Sequence, residues 1–209
     1  MKHKIVLIIV CGGTGSGKTT VANEIKTILP KRISSQIICM DRFYKEHNCK
    51  DGNLYLKHNF DHPNAFDWKL MFNSLKSLLA NKATKLPIYS YQKSKRENEK
   101  ELVKPTDVII LEGILALYDA DIRALADIKI FVDTPDDERF IRRLIRDKKE
   151  RNRSDDDIVG QWRSTIRKMH HVFVQPLKAE ADIIVPWYNM NKIAIQAIKG
   201  AIQSIYEQK

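Results

Sequence analysis

The sequence predicts an α/β fold in which a five-stranded parallel sheet is flanked by helices, and two observations support this prediction. Short apolar runs of buried-strand length alternate along the chain with helical patterns, which is the order of βαβ units. Residues 12–19 follow the first apolar run and have the form GxxxxGK[ST], which is typical of a phosphate-binding loop between a strand and a helix. The fold class is therefore that of the P-loop NTPases.

The predicted strands are short runs of mostly apolar residues. Such runs are expected of strands that are covered on both faces of a parallel sheet. In chain order, strands are predicted over residues 4–10, 36–40, 107–111, 128–132 and 182–185.

The predicted helices fall between these strands, and prolines mark several of their boundaries. The first helix opens at the phosphate-binding loop and ends before Pro30, the third follows Pro135, and the last lies beyond Pro186. Helices are predicted over residues 18–29, 65–80, 136–151, 155–174 and 191–207.

Residues 53–105 interrupt the alternation, because they hold one helix between extended pieces that carry Tyr, Lys and Pro. We expect a small substrate-facing insertion here, with a hairpin as its candidate form, and we interpret residues 93–104 as a charged loop. Nothing else in the 209 residues calls for a second unit, so residues 1–209 are predicted to be a single P-loop domain.

Composition narrows the partners and the compartment. The net charge of +10 suits a polyanion, but the aromatic residues do not alternate with basic ones as in a base-stacking surface, so no nucleic acid partner is predicted. Cys11, Cys39 and Cys49 form no metal-spaced pair and fit a reducing compartment. The apolar run near the N-terminus is too short for a signal peptide or a membrane span. We therefore expect a cytoplasmic protein without a membrane partner.

The phosphate-binding loop predicts a nucleoside triphosphate, ATP or GTP, together with Mg²⁺. Backbone N–H groups of the loop wrap the phosphates, Lys18 reaches the β- and γ-oxygens, and the Thr19 hydroxyl is a ligand for Mg²⁺. The candidate nucleotide-binding residues are Gly12, Gly13, Thr14, Gly15, Ser16, Gly17, Lys18, Thr19 and Thr20.

Two acidic residues stand where predicted strands end, which is the edge of a parallel sheet that binds ligands. Asp41 follows the second strand, and Glu112 follows the third. Glu112 with Thr19 is predicted to form the Mg²⁺ site. Asp41 is open to two roles, a further metal ligand or the base that accepts a proton from an attacking hydroxyl; a simple turn aspartate is the structural alternative.

Arginines recur on one predicted helical face. Arg139, Arg142, Arg143 and Arg146 are spaced at i, i+3, i+4 and i+7, and Arg151 and Arg153 extend the cluster. Guanidinium groups on a movable segment could surround a transferring phosphoryl group, so residues 139–161 are a candidate lid. The alternative is a solvated face paired with neighbouring acids.

Several motifs, taken together, resemble the uridine (uridine/cytidine) kinase family. They are the loop at residues 12–19, Asp-Arg-Phe-Tyr at 41–44, Asn-Phe-Asp-His-Pro-Asn-Ala-Phe-Asp at 59–67, Glu-Gly-Ile-Leu at 112–115 and Arg-Arg-Leu-Ile-Arg-Asp at 142–147. The motif at 59–67 is the most specific of them. The resemblance implies a pyrimidine-salvage kinase that transfers the γ-phosphate of ATP or GTP to the 5′-hydroxyl of uridine, with cytidine as a second acceptor.

The resemblance also implies roles for single residues and an assembly. Asp41 resembles the family's catalytic base and acts with Lys18, while Thr19 and Glu112 resemble its Mg²⁺ environment. Asp61 would hold the ribose hydroxyls and so prefer ribose over 2′-deoxyribose. The remaining substrate contacts would come from Tyr89 to the base, from Arg143, Arg146 and Arg151 to substrate or phosphates, and from Gln161 near the ribose. A homo-oligomer is implied, with a homotetramer as its specific form.

Two positions depart from the family pattern. Arg42 stands where the family usually has serine, and Ser94 stands where a histidine reads the pyrimidine 4-position. The altered stretch at residues 89–96, which contains Ser94, leaves open a phosphoribulokinase-like kinase that acts on another small hydroxyl acceptor. The basic composition leaves open a second alternative, a P-loop ATPase or switch that binds nucleic acid.

Overall fold

A five-stranded parallel sheet forms the centre of the computed structural model, which describes residues 5–46 and 59–208. The strands in chain order are β1 (Val6–Cys11), β2 (Ser35–Cys39), β3 (Thr84–Ser90), β4 (Lys95–Val103), β5 (Val108–Gly113), β6 (Ile128–Asp133) and β7 (Ile183–Pro186). The order across the parallel sheet is β2-β5-β1-β6-β7, and β3 and β4 form a separate two-stranded sheet. The five strands predicted for the sheet are confirmed, with ends within two residues of those expected. Lys4 of the first predicted strand lies outside the described residues.

The helices in chain order are α1 (Lys18–Ile28), α2 (Trp68–Leu79), α3 (Ala120–Leu125), α4 (Asp136–Arg151), α5 (Asp155–Gln161) and α6 (Lys192–Gln208). Beyond α5 the helix continues through π-helical turns at Trp162–Ile166 and His170–Val174. All five predicted helices are confirmed. The helix predicted over 65–80 begins instead at Trp68, because the side chain of Asp67 caps it by accepting from Leu70 N at 3.0 Å. The sequence analysis missed α3.

Side chains of β1 alternate between the two faces of the sheet, and each face has its own hydrophobic core. Val6, Ile8 and Val10 pack with buried residues of α1 and α6. Leu7 and Ile9 lie in the other core, with residues of α2 and α3, of the hairpin, and of the π-helical turn that ends at Val174. Because both faces of β1 are buried, its sequence is a continuous apolar run. The carboxyl edge of the sheet is left open for a site.

The predicted insertion over residues 53–105 contains α2 and the antiparallel hairpin β3–β4. Its residues 53–58 lie outside the described residues, as does Cys49. The prediction of a charged loop over residues 93–104 is wrong, since β4 occupies most of this segment and pairs with β3 from Ser90↔Lys95 to Thr84↔Val103. Most side chains of β4 are exposed or partly exposed. Backbone pairing rather than burial therefore holds this strand, and its charges suit a sheet edge.

No helix in the described part of the chain is both long and apolar enough to cross a membrane.

Candidate active site

The phosphate-binding loop joins β1 to α1 and relies on two glycines with left-handed backbone conformations. Gly15 and Gly17 have φ angles of +75° and +88°, a region that side-chain-bearing residues rarely adopt. A Cβ at Gly15 would collide with the carbonyl oxygen of Arg139, and one at Gly17 would collide with the indole of Trp187. Both the backbone angle and the available space therefore require glycine at these positions.

A buried arginine supports the loop from behind. The side chain of Arg139 is only 1% exposed, and its Nη2 pairs with Asp136 Oδ1 at 2.6 Å. Its Nη1 donates to the carbonyl oxygen of Thr14 at 3.2 Å. His170 lies beside it, and burial together with the charge of Arg139 lowers the pKa of His170 to about 4. Arg139 therefore packs against the phosphate-binding loop and holds it by a hydrogen bond. The spacing of the arginines along the helix did not predict this contact.

A cavity beside the loop has the composition of a triphosphate site. Part of its wall comes from the predicted residues Gly15, Gly17, Lys18, Thr19, Thr20 and Glu112. The Thr19 hydroxyl donates to Oε2 of buried Glu112 at 3.3 Å. This brings two hard oxygen donors together at the edge of the cavity, as Mg²⁺ prefers. We call this the donor cavity. Of the other predicted loop residues, Gly12, Gly13 and Ser16 are buried.

A second cavity adjoins the first and gathers side chains from distant parts of the chain. We call it the acceptor cavity. The predicted residues that line it are Thr14, Lys18, Asp41, Asp61, Tyr89, Arg143, Arg146, Arg151 and Gln161. Lys18, Tyr91, Arg146 and Arg151 line both cavities, so a group held in one can reach the other.

Asp41 lies on a short 3₁₀ turn, Met40–Phe43, directly after β2. The register of the parallel sheet pairs Cys39 with Glu112, which places the Asp41 turn beside the Mg²⁺ candidates. The hydroxyl of Tyr91 donates to Asp41 Oδ2 at 2.9 Å. Sequence reasoning did not select Tyr91. The sequence could have indicated Tyr91, because it follows Tyr89 by two residues and side chains two apart on an extended chain point to the same side.

Asp61 is partly buried, and its environment acts on its charge in two directions. Burial raises its pKa above the ordinary value, while the positive charges of Arg143 and Lys18 oppose this rise. The negative charge of Asp41 adds to it. Asp61 and Asp41 therefore share one cavity in which nearby cations compensate for two carboxylates.

Arg143 connects α4 to the loop and to the helix that follows. Its Nη1 donates to the Thr14 hydroxyl at 2.8 Å, and its Nη2 donates to Gln161 Oε1 at 3.0 Å. Burial lowers its pKa to about 10, against the raising effect of Asp147. Since this value is far above neutral pH, Arg143 remains a cation in the cavity wall.

Asp147 is the centre of the arginine cluster. Its side chain is fully buried, and four guanidinium groups approach its carboxylate. The nitrogen-to-oxygen distances are 3.4 Å from Arg143, 2.8 Å from Arg146, 3.5 Å from Arg151 and 3.9 Å from Arg153. Burial acts to raise the pKa of Asp147, but the arginine charges outweigh it and the pKa is lowered. The carboxylate therefore stays ionised and neutralises part of the cluster.

The two departures from the family pattern occupy different places. Ser94 has a positive φ of 49° and lines the acceptor cavity together with Tyr89. The guanidinium of Arg42 is bound to the hairpin, at Glu101 and the carbonyl oxygen of Pro87. Only Ser94 is placed to face an acceptor.

The parallel sheet, with its phosphate-binding loop after a central strand, defines the class of the protein as a P-loop α/β protein. A sequence model of the Phosphoribulokinase / Uridine kinase family matches residues 7–194. The chain belongs to this family. Family membership and the loop together make the protein a kinase with a nucleotide as phosphate donor.

Curated relatives match the chain over almost all of its length. It is 44% identical over 206 residues to a uridine kinase of Lactobacillus helveticus, covering 99% of this chain and 98% of the relative. It is also 44% identical over 211 residues to a uridine kinase of Clostridium tetani, covering 100% of this chain and 99% of that one.

Solved structures show the same fold at low sequence identity. A protein from Bacillus stearothermophilus described as a "possible uridine kinase" superposes with a TM-score of 0.61 at 18% identity, covering 88% of this chain and 90% of the other. D-glycerate 3-kinase from Cryptococcus neoformans superposes with a TM-score of 0.57 at 17% identity, covering 81% and 79%.

Proposed function

We propose that this kinase transfers the γ-phosphoryl group of ATP or GTP to the 5′-hydroxyl of uridine, with cytidine as a second acceptor, in pyrimidine salvage. The observation that carries the proposal is the meeting of Asp41, Asp61 and Lys18 in one cavity next to the Thr19–Glu112 pair. A phosphate donor site alone would fit many NTPases. A second cavity with two carboxylates indicates that the phosphoryl acceptor is an alcohol substrate rather than a water molecule. The relatives named uridine kinase favour a ribonucleoside as that acceptor.

In the donor half, the N–H groups of the loop and the ammonium group of Lys18 would bind the phosphates. Thr19 and Glu112 would hold Mg²⁺, because a hydroxyl and a carboxylate already lie together there and the phosphates can supply further oxygen ligands. Bound Mg²⁺ supplies charge neutralisation to the triphosphate. Asp41 is a candidate third ligand, although it lies on the acceptor side of Lys18.

In the acceptor half, Asp61 would accept hydrogen bonds from the two vicinal ribose hydroxyls. One ionised carboxylate has enough lone pairs for both. Tyr89 would contact the pyrimidine, and Gln161 would lie near the ribose, since both line the same cavity. Ser94 beside Tyr89 can both donate and accept, so it could read a keto or an amino group directly or through water.

The transfer step needs a base and a set of cations. Asp41 would align the 5′-hydroxyl and accept its proton, while the oxygen attacks the γ-phosphorus and the nucleoside diphosphate leaves. Arg143, Arg146 and Arg151 would stabilise the charge on the transferring group. Closure of residues 139–161 as a lid belongs to this proposal, because Arg146 and Arg151 line both cavities.

A product assay tests the function. Purified protein is incubated with Mg²⁺, ATP or GTP, and one of uridine, cytidine, their 2′-deoxy forms or ribulose 5-phosphate, and the products are separated by chromatography. We expect uridine monophosphate as the main product. Phosphorylation of ribulose 5-phosphate instead, or nucleotide hydrolysis stimulated by nucleic acid without any phosphorylated nucleoside, would refute the proposal.

The proposed role of Asp41 as the catalytic base can be tested with a single substitution. Asp41→Asn removes proton acceptance but keeps the size of the side chain, so turnover should fall about 10²- to 10⁴-fold while nucleotide binding stays near normal. Asp133→Asn is the matched control. Asp133 also ends a strand of the sheet, but it pairs with Lys178 at 2.7 Å and should tolerate the change. Near-normal turnover of Asp41→Asn would exclude Asp41 as the base.

Assembly and location complete the proposal. We expect a homo-oligomer, specifically a homotetramer, and a cytoplasmic location. Light scattering during size-exclusion chromatography measures the first, and fractionation of cells measures the second.

A further inference from the structure

Two side chains tie the turn that carries Asp41 to the β3–β4 hairpin. The Tyr91 hydroxyl, just after β3, donates to Asp41 Oδ2 at 2.9 Å. From the turn itself, Arg42 Nη1 lies 2.8 Å from Glu101 Oε2 and donates to Pro87 O at 3.2 Å. The mechanism proposed above uses neither connection. In the first connection the hairpin provides the donor, and in the second the turn that carries Asp41 provides it.

The contacts of Tyr91 fix where its hydroxyl points. Its ring packs edge-on against Tyr89, with centroids 5.4 Å apart, and the guanidinium carbon of Arg151 lies 4.7 Å from its ring centroid. Burial and the charge of Asp41 raise the pKa of Tyr91, so the phenol keeps its proton and remains a donor. An ionised carboxylate has about four lone-pair sites, so the bond from the Tyr91 hydroxyl to Oδ2 leaves acceptor capacity on Asp41 for an acceptor hydroxyl.

Arg42 gives the turn a second anchor. Its Nη1 alone reaches both a carboxylate of β4 and a backbone oxygen of β3, because this nitrogen carries two hydrogens. The arginine side chain is 26% exposed and the Glu101 side chain 51% exposed. Pairs this exposed add little to overall stability. The contact can nevertheless set the position of the turn without being needed for folding.

We propose that Tyr91 and Arg42 are positioning residues, which hold Asp41 through the hairpin in line with the acceptor hydroxyl. The inference rests on the proposed function, since it takes Asp41 as the base. A base acts only within hydrogen-bonding distance of its proton, and a misplacement of about 1 Å costs on the order of 10²-fold in rate. The hairpin also carries Tyr89, which lines the acceptor cavity. An acceptor that docks on the hairpin therefore docks on the element that places the base.

Tyr91→Phe tests the first connection, because it keeps the ring against Tyr89 and Arg151 and removes only the hydroxyl. We expect kcat to fall about tenfold, as for a lost hydrogen bond to a charged group. The Kd of the acceptor nucleoside, measured by calorimetry, should change less than about twofold, and the thermal midpoint should fall by no more than a few degrees. In the Asp41→Asn background, Tyr91→Phe should cause no further loss.

Arg42→Ala and Glu101→Gln test the second connection. Each should lower kcat several-fold, and the double variant should lose no more than the stronger single one, because both remove the same contact. Glu97→Gln is the matched control. Glu97 lies on β4 like Glu101 and pairs with Lys93 at 3.0 Å, but that pair does not involve the Asp41 turn, so kcat should stay at the wild-type value.

Three results would overturn the proposal: wild-type kcat in Tyr91→Phe, a loss confined to acceptor binding, or full additivity of Arg42→Ala with Glu101→Gln. These results are separate from a failure of the proposed function. The identity of the wild-type product tests the function, whereas the variants are compared with wild type on whichever acceptor wild type phosphorylates.

Discussion

The buried carboxylate of Asp147 offers the sharpest test of the energetics of this site. Asp147→Asn keeps the size and the hydrogen-bonding oxygen of the side chain but removes its charge. Four arginines within 3.9 Å would then lose their shared counter-ion. Loss of one partner from a buried ion pair costs about 3–5 kcal/mol. The arginine side chains retain between 8% and 29% exposure, so we expect the lower end, about 3 kcal/mol.

Urea unfolding followed by circular dichroism measures this loss directly. For a chain of this size each kcal/mol lowers the thermal midpoint by about 2–4 °C, so a fall of about 6–12 °C should accompany it. Asp155→Asn is the control, because Asp155 pairs with Lys148 at 3.0 Å but both side chains are more than half exposed. This control should change the unfolding free energy by less than about 1 kcal/mol.

The pH dependence of the difference supplies a second measurement. The pKa of Asp147 is lowered in the folded protein, so its contribution to stability is complete above the unfolded value of about 3.9 and is lost as the pH falls through the folded value. The gap between wild type and Asp147→Asn should therefore be constant near neutral pH and shrink below about pH 4. The reasoning fails if Asp147→Asn costs no more than Asp155→Asn, or if the gap is unchanged in acid.

Two further predictions concern the acceptor and the loop. Asp61→Ala should raise the KM for uridine about tenfold or more and bring the kcat/KM ratio of uridine to 2′-deoxyuridine close to one, because the ribose hydroxyls lose their acceptor; an unchanged ratio would contradict this role. Gly15→Ala should abolish nucleotide binding measured by calorimetry, since its φ is +75° and its Cβ would strike Arg139. The control Gly200→Ala, with open space around its Cβ position in α6, should instead stabilise the fold by about 1 kcal/mol, and normal binding by Gly15→Ala would refute the steric argument.

The sheet could be predicted from sequence because burial on both faces leaves a direct record in composition. β1 and β5 are fully buried, so their runs of Ile, Val and Leu could be identified without knowledge of the partners. The sequence of β4 contains no apolar run of this kind. Its charged residues point largely to solvent, and the strand exists because β3 supplies its backbone partners. A short helix such as α3 has too few turns for a clear periodic pattern.

A general rule about parallel sheets was enough to predict which strand ends carry the candidate site, but it could not predict the contacts between the side chains of the site. Strand-end acids meet at one edge of a parallel sheet, and this was enough to select Asp41 and Glu112 as candidates; their roles stay predictions. The contact of Asp41 with Tyr91 spans 50 residues, and local spacing carries no information about it. Helical spacing likewise gave the face on which Arg139 lies, but not the loop that packs over it.

The separation of the hairpin from the central sheet has a consequence for how kinases of this kind can diverge. Thr19 and Glu112 belong to the helix and strand of the core, whereas Tyr89, Tyr91 and Ser94 belong to the β3–β4 hairpin, Tyr89 on β3 and the other two on the turn that joins the strands. Leu86 and Val103 anchor the hairpin in a hydrophobic core, but Tyr91 and Ser94 belong to neither core, so mutations at these two positions can change the acceptor wall without repacking either one. Selection for a new acceptor can therefore act on the hairpin turn and the strand ends beside it while the phosphate-binding machinery is inherited intact. Exchange of hairpins between family members that use different acceptors would show this inheritance directly.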